Sequence, residues 1–170
     1  MKKLALPVVI IVTALFIGAC VIPAAAGENA TPEEIVAKVK EASAYLIEKG
    51  DAGLASFDDP NGPWVWKDTY VFVYDCDKGE CVGNITPGLV GKKIEDVIDV
   101  NGKPVGLELC EASKKPNGWW IEYIWPVKGT GALATKISYV YKAPGAKYTV
   151  CAGIYSPEGI TAAGLNEKLK

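Results

Sequence analysis

The chain contains no histidine and no arginine. Without histidine it lacks the usual general base near neutral pH and the commonest metal ligand. A histidine-dependent triad is excluded, and no Gly-x-Ser-x-Gly elbow is present. Without arginine, no guanidinium fork can grip a carboxylate with two parallel bonds. Any anion site must use lysine, Tyr or Trp donors and backbone N–H groups. A strong charge of one sign is also missing, since 18 lysines face 20 acids for a net charge of −2. That balance gives no support to nucleic acid or an anionic membrane surface as a partner. The acids would permit a carboxylate pair, but no spacing singles one out. The expectation is a protein that is not an enzyme and carries no cofactor.

Long apolar runs are confined to one place. Met1-Lys2-Lys3 is a basic start, and Leu4 to Ala19 is uncharged and almost wholly apolar. Pro23 follows, and Ala24-Ala25-Ala26 offers the small residues a signal peptidase reads. The expectation is a secretory signal over 1–26 and one domain over 27–170. Two other readings compete. Ile17-Gly18-Ala19-Cys20 resembles a lipobox, in which Cys20 is lipidated and anchors the chain to a membrane. The run is also about as long as a retained span needs. Losing Lys2 and Lys3 would move the net charge from −2 to −4.

Cys20 aside, four cysteines remain: Cys76, Cys81, Cys110 and Cys151. An even count in an exported chain predicts disulfides. Cys76 and Cys81 flank the tip Asp77-Lys78-Gly79-Glu80, which favours Cys76–Cys81 and, by elimination, Cys110–Cys151. The spacing is too irregular for a four-thiolate zinc site, and no metal is expected.

Thr31-Pro32-Glu33-Glu34 reads as a capping box with proline at the first helical position. Ile35, Val39, Ala42 and Leu46 recur at helical spacing and Gly50 stops the run, which predicts a helix over about 32–49. A short helical turn over 54–57 and a Pro/Gly/Asp loop follow. Beyond the loop the period becomes two. Tyr70, Phe72 and Tyr74 share one face of strand 69–75, and Val71 and Val73 share the other. Both faces are apolar, so this strand should be covered on both sides. A return over 82–85, short helices near 94–98 and 107–112, and strands at 119–125, 134–142 and 147–155 complete the pattern. The tail after Pro157 has weak helical character. The sum is an α+β fold. It has a long N-terminal helix, a five-stranded mainly antiparallel sheet, and a helical insertion between the second and third strands.

Tyr123 and Trp125 share a strand face, and Lys136 opens the next strand. Paired as neighbours, these strands would bring Tyr123 and Lys136 onto one concave surface with Tyr70 and Phe72. A lysine at an aromatic pocket supplies charge, and tyrosine hydroxyls supply orientation. Taken singly, each aromatic reads more simply as core. Asp75-Cys76-Asp77-Lys78-Gly79 resembles the start of a calcium loop but lacks its later ligands, and it fits a hairpin turn better. Asp99-Val100-Asn101-Gly102 is read the same way.

Several segments resemble, in order and spacing, the single Cache domains, which are PAS-like extracytoplasmic sensing modules. They are Tyr70–Asp75, Leu89-Val90-Gly91-Lys92, Asp99–Lys103, Gly118 through Tyr123-Ile124-Trp125-Pro126, Lys136–Val140 and Ala152–Tyr155. The resemblance implies a PAS-like sheet behind a long helix. It also implies binding of a small organic ligand, often a carboxylate such as lactate, pyruvate or acetate. Its pocket positions fall on Tyr70, Phe72, Tyr123, Trp125, Lys136 and Tyr139. No second span and no methyl-accepting, kinase or cyclase region is read after Tyr155. The expectation is a free-standing form that passes ligand occupancy to a separate membrane receptor, histidine kinase or transporter.

Overall fold

The computed structural model describes residues 28–155 and 158–170. The expected signal segment and Cys20 lie outside the described residues. Helix α1 spans Pro32–Lys49. Its start follows from the capping box: Glu34 N–H donates to Thr31 Oγ1 at 3.3 Å, and Thr31 N–H donates to the Glu34 carboxylate at 2.9 Å. Ile35, Val39, Ala42 and Leu46 form its buried stripe. A 3-10 segment over Gly50–Phe57 turns the chain back toward the sheet.

The strands are β1 (Val65–Trp66), β2 (Thr69–Asp75), β3 (Glu80–Gly83), β4 (Trp119–Pro126), β5 (Leu133–Tyr141) and β6 (Thr149–Tyr155). They form one sheet in the order β1-β2-β6-β5-β4, with β3 also paired to β2, and every pairing is antiparallel. The two-residue β1 adds to the five expected strands. β1 and β3 share the outer flank of β2, so β2 is buried along its whole length, as its two apolar faces require.

The sheet separates two cores. Behind it, α1 packs on Val71, Val73, Ile137, Tyr139, Val150, Ala152 and Ile154. In front, Tyr70, Phe72, Tyr74, Tyr123, Val140 and Cys151 face the β3–β4 insertion, which contributes Leu89, Val97, Val105 and Leu109. Within the insertion, Ile94–Asp96 forms only a single 3-10 turn, and helix α2 spans Val105–Ala112.

The C-terminal tail is an ordered helix, α3 (Ala162–Glu167), docked on edge strand β4. Trp120 N–H donates to Asn166 Oδ1 at 2.8 Å, and Asn166 Nδ2 donates back to Trp120 O at 2.9 Å. One amide side chain thus stands in for a neighbouring strand. Further along the same edge, Lys103 Nζ donates to Glu122 O (2.6 Å) and Ile124 N–H donates to Asp99 Oδ2 (3.0 Å). Three side chains therefore cover a β edge that would otherwise offer itself to another chain.

The expected disulfide pairing is corrected. The bond joins Cys76 to Cys110, with their Cα atoms 5.6 Å apart, and Cys81 and Cys151 are free and buried. The reason is register. The last pair before the tip is Asp75 with Glu80, so Tyr74 pairs with Cys81, and a bulge follows between Val73 and Tyr74. The register is two residues from the expected one, so Cys81 keeps its face but opposes Tyr74 instead of Cys76. Cys81 therefore lies on the inner face beside Tyr74, while Cys76 sits beyond the ladder and meets α2. Cys81 opposes Tyr74 and Cys151 opposes Phe72 on the strands flanking β2, so two strand spacings of about 4.8 Å and a two-residue offset separate them. That exceeds disulfide reach.

Candidate functional site

The front face of the sheet carries one buried cation. Lys136 lies mid-sheet on β5, paired with Tyr123 on β4 and Tyr155 on β6. It is fully buried, and among the described residues its Nζ has no hydrogen-bond partner. Its ammonium stands 4.1 Å from the Tyr70 ring centroid, 5.0 Å from that of Phe72 and 5.2 Å from that of Tyr155. These rings present their negative faces to the charge and replace part of its lost hydration.

Gly153 makes this reach possible. It pairs with Ser138 on the central strand β6. A Cβ there would crowd Ser138 Oγ and approach Lys136 Cε to 3.0 Å. The gap left by glycine lets the lysine stem cross β6 toward the Tyr70 and Phe72 rings of β2.

Around the lysine lies a cavity of about 10 Å³ lined by Tyr70, Phe72, Tyr74, Asn84, Val97, Val105, Leu109, Tyr123, Trp125 and Lys136. That is barely the room for one water molecule. Sheet residues form its floor, and the β3–β4 insertion forms its roof. Tyr123 OH and Ser138 Oγ share a hydrogen bond at 2.9 Å at its base. Tyr70 OH stands 3.5 Å from Thr86 Oγ1 at the rim.

The phenols divide by environment. Burial pushes Tyr123 and Tyr74 well above the ordinary tyrosine range, and both stay neutral donors. Burial also raises Tyr70, but the nearby Lys136 charge and the Thr86 hydroxyl more than offset it, leaving Tyr70 below the ordinary range. Burial raises the Cys81 thiol to about 11, and it raises Cys151 as well, so both thiols stay protonated near neutral pH. They behave as apolar filler.

Five of the six expected positions converge here: Tyr70, Phe72, Tyr123, Trp125 and Lys136 line this cavity. Tyr139 does not. It points to the α1 side, where its hydroxyl donates to Asn117 O at 2.7 Å and its ring packs near Trp120. Alternation along β5 puts positions 136 and 139 on opposite faces, which corrects its placement. Residue-by-residue reading missed Tyr74, Gly153, Tyr155 and the whole roof. Tyr74 and Tyr155 continue alternating patterns on their strands and were accessible that way. Val97 and Leu109 fall in the two short helical segments expected there without being singled out, and Asn84 carried no pattern. The two calcium-like stretches act as turns. Asp75 Oδ1 accepts from Lys78 N–H, and Asp99 Oδ1 accepts from Asn101 and Lys103 N–H. Among the described residues, no group of three or more His, Cys, Asp or Glu side chains is placed to hold a metal ion.

An antiparallel sheet backed by a long helix, with a small aromatic cavity under a helical roof, defines the PAS-like α+β class. A family model described as Cache domain matches residues 65–158. The chain belongs to the Cache domain family. Three solved structures share the fold. A methyl-accepting chemotaxis protein from Vibrio parahaemolyticus RIMD 2210633 is 24% identical with a TM-score of 0.59, over 72% of this chain and 86% of that one. A periplasmic sensor domain of a chemotaxis protein is 21% identical with a TM-score of 0.53, over 72% and 88%. A structure described as the basis for carboxylic acid recognition by a Cache chemosensory domain is 20% identical with a TM-score of 0.52, over 72% and 86%. No curated protein matches the chain significantly. Among the described residues, no helix is long and apolar enough to cross a membrane.

Proposed function

We propose that this chain is an exported, non-enzymatic sensing module that binds a small carboxylate such as lactate, pyruvate or acetate beside Lys136. The observation that carries the reading is the buried Lys136 ammonium, which has no hydrogen-bond partner among the described residues. Aromatic faces replace hydration only in part, so a carboxylate oxygen at Nζ would supply the missing charge-assisted bond. Neutral Tyr123 and the rim hydroxyls are donors suited to its second oxygen. Two similar folds are described as a chemotaxis sensor and a carboxylic-acid-recognising domain, which supports the same class. The working unit is 27–170, released after Ala26 or held to a membrane through Cys20. Its occupancy is passed to a separate receptor, histidine kinase or transporter.

One observation favours a second reading. The cavity of about 10 Å³ is already filled by its own side chains, as in an interaction module that binds no small molecule. A thermal-shift titration of 27–170 with acetate, lactate, pyruvate, amino acids, amines and purines separates the two. A ligand that binds only the folded state raises Tm as its concentration rises. A dose-dependent rise with carboxylates alone supports the sensing module. A rise with amines instead removes the anion reading. A flat response from folded protein moves the function to the surface.

A further inference from the structure

The Cys76–Cys110 bond ties the floor of the cavity to its roof. Cys76 immediately follows β2, the strand that supplies Tyr70, Phe72 and Tyr74. Cys110 lies on α2 beside Leu109, which lines the cavity. The two cysteines are 34 residues apart, and the closed loop holds β3 and the whole crossing that roofs the site. A cavity of about 10 Å³ admits no organic molecule unless that roof shifts.

The bond is also open to reagents. Both cysteines are half-buried, and they line a surface groove of about 360 Å³ with Asp77, Glu111, Lys114 and Lys142. Each lysine is paired with an acid of the same groove, Lys114 with Glu111 and Lys142 with Asp77, so the lining carries no net charge against an approaching thiolate. The reduced state has a prepared partner as well. Thr149 Oγ1 lies 3.3 Å from Cys76 Sγ, so a thiol at Cys76 has a hydroxyl acceptor at once. Cys81 and Cys151 are buried on the inner face and lie outside this groove.

We propose that Cys76–Cys110 is a redox site that sets how freely the roof opens. A dithiol reductant supplies the electrons. Its thiolate attacks one cysteine sulfur, the S–S bond breaks, and the other cysteine leaves as a thiolate and takes a proton. The reductant's second thiolate then displaces the first cysteine and closes its own disulfide. Two electrons and two protons pass to the protein, which ends with two thiols. Release of α2 then lets the insertion lift from the sheet.

Only the ligand arm of the test rests on the proposed carboxylate reading. Folded protein is incubated with dithiothreitol, and hydrogen exchange is followed by mass spectrometry, with alkylation counting the free thiols. The expected result is two newly alkylated cysteines without denaturant and at least tenfold faster exchange over 94–112, with α1, β5 and β6 unchanged. Cys76→Ser/Cys110→Ser should show the same exchange pattern without reductant. Reduction that needs denaturant, or roof exchange unchanged in reduced folded protein, overturns the proposal. Acetate is titrated into both forms in parallel. Faster association with the reduced form supports the latch. Roof loosening with acetate bound to neither form also supports the latch and removes the carboxylate reading instead.

Discussion

Lys136→Met is the sharpest perturbation of the site. Methionine keeps the length and apolar stem of lysine and deletes the charge. Lys136 is fully buried, with no hydrogen-bond partner among the described residues. Removing an ammonium from water costs several kcal/mol even after the protein relaxes. Three rings at 4.1, 5.0 and 5.2 Å return part of that. At about 0.5–2 kcal/mol each, they return roughly 3 kcal/mol in total. The desolvation cost wins by about 1–3 kcal/mol. Lys136→Met should therefore stabilise the empty protein by that amount, raising Tm by roughly 3–10 °C for a domain of this size. The same change should abolish any carboxylate-dependent rise in Tm. Differential scanning calorimetry with and without acetate reads both quantities. A Tm lowered by several degrees would refute the reasoning, because it would mean that the ammonium is a net stabiliser of the empty fold. Acetate binding that survives the substitution would move the anion site elsewhere.

Two other predictions test the frame around the site. Asn166→Ala strands the Trp120 N–H and C=O on the edge of β4. The expected loss is about 2–4 kcal/mol, read from the midpoint of urea unfolding. A loss below about 0.5 kcal/mol would show that α3 does not dock in solution. Stability should also fall at alkaline pH. Burial raises the Cys81 thiol from 9.0 to about 11, so between those values the unfolded chain has released a proton that the folded chain keeps. Stability from this group is complete below pH 9 and declines toward pH 11, by roughly 3 kcal/mol. Cys81→Ala should flatten that part of the profile in denaturant titrations at pH 8, 10 and 11. An unchanged slope would assign the alkaline loss to the buried tyrosines.

Much of the architecture was legible in the order of the residues, because local rules decide it. The Thr31–Glu34 box, the apolar stripe from Ile35 to Leu46 and Gly50 bound α1 without help from the rest of the chain. Alternation in Thr69–Asp75 marked a strand covered on both faces, and the same rule separates Tyr139 from Lys136. The match of segments along the chain then named the Cache family. The convergence of Tyr70, Phe72, Tyr123, Trp125 and Lys136 followed once neighbouring strands were paired.

The remainder depended on three dimensions. Which cysteines pair is decided by the register at the β2–β3 tip, where Cys81 opposes Tyr74 rather than Cys76, and no composition rule fixes a register that a bulge can absorb. The docking of α3 comes from an amide reaching an edge strand 46 residues away in sequence. Gly153 matters only because a lysine on one neighbouring strand must cross it to reach rings on the other. Of the roof residues, Asn84 and Val97 lie in irregular chain, where periodicity carries no information, and Val105 and Leu109 lie one turn apart on the short helix α2. Sequence by itself determined the elements and the face each aromatic takes, because those follow from backbone geometry within a few residues. Only the tertiary structure decided that the Lys136 ammonium is buried with no hydrogen-bond partner among the described residues, because that depends on what every neighbouring strand and the roof place around it.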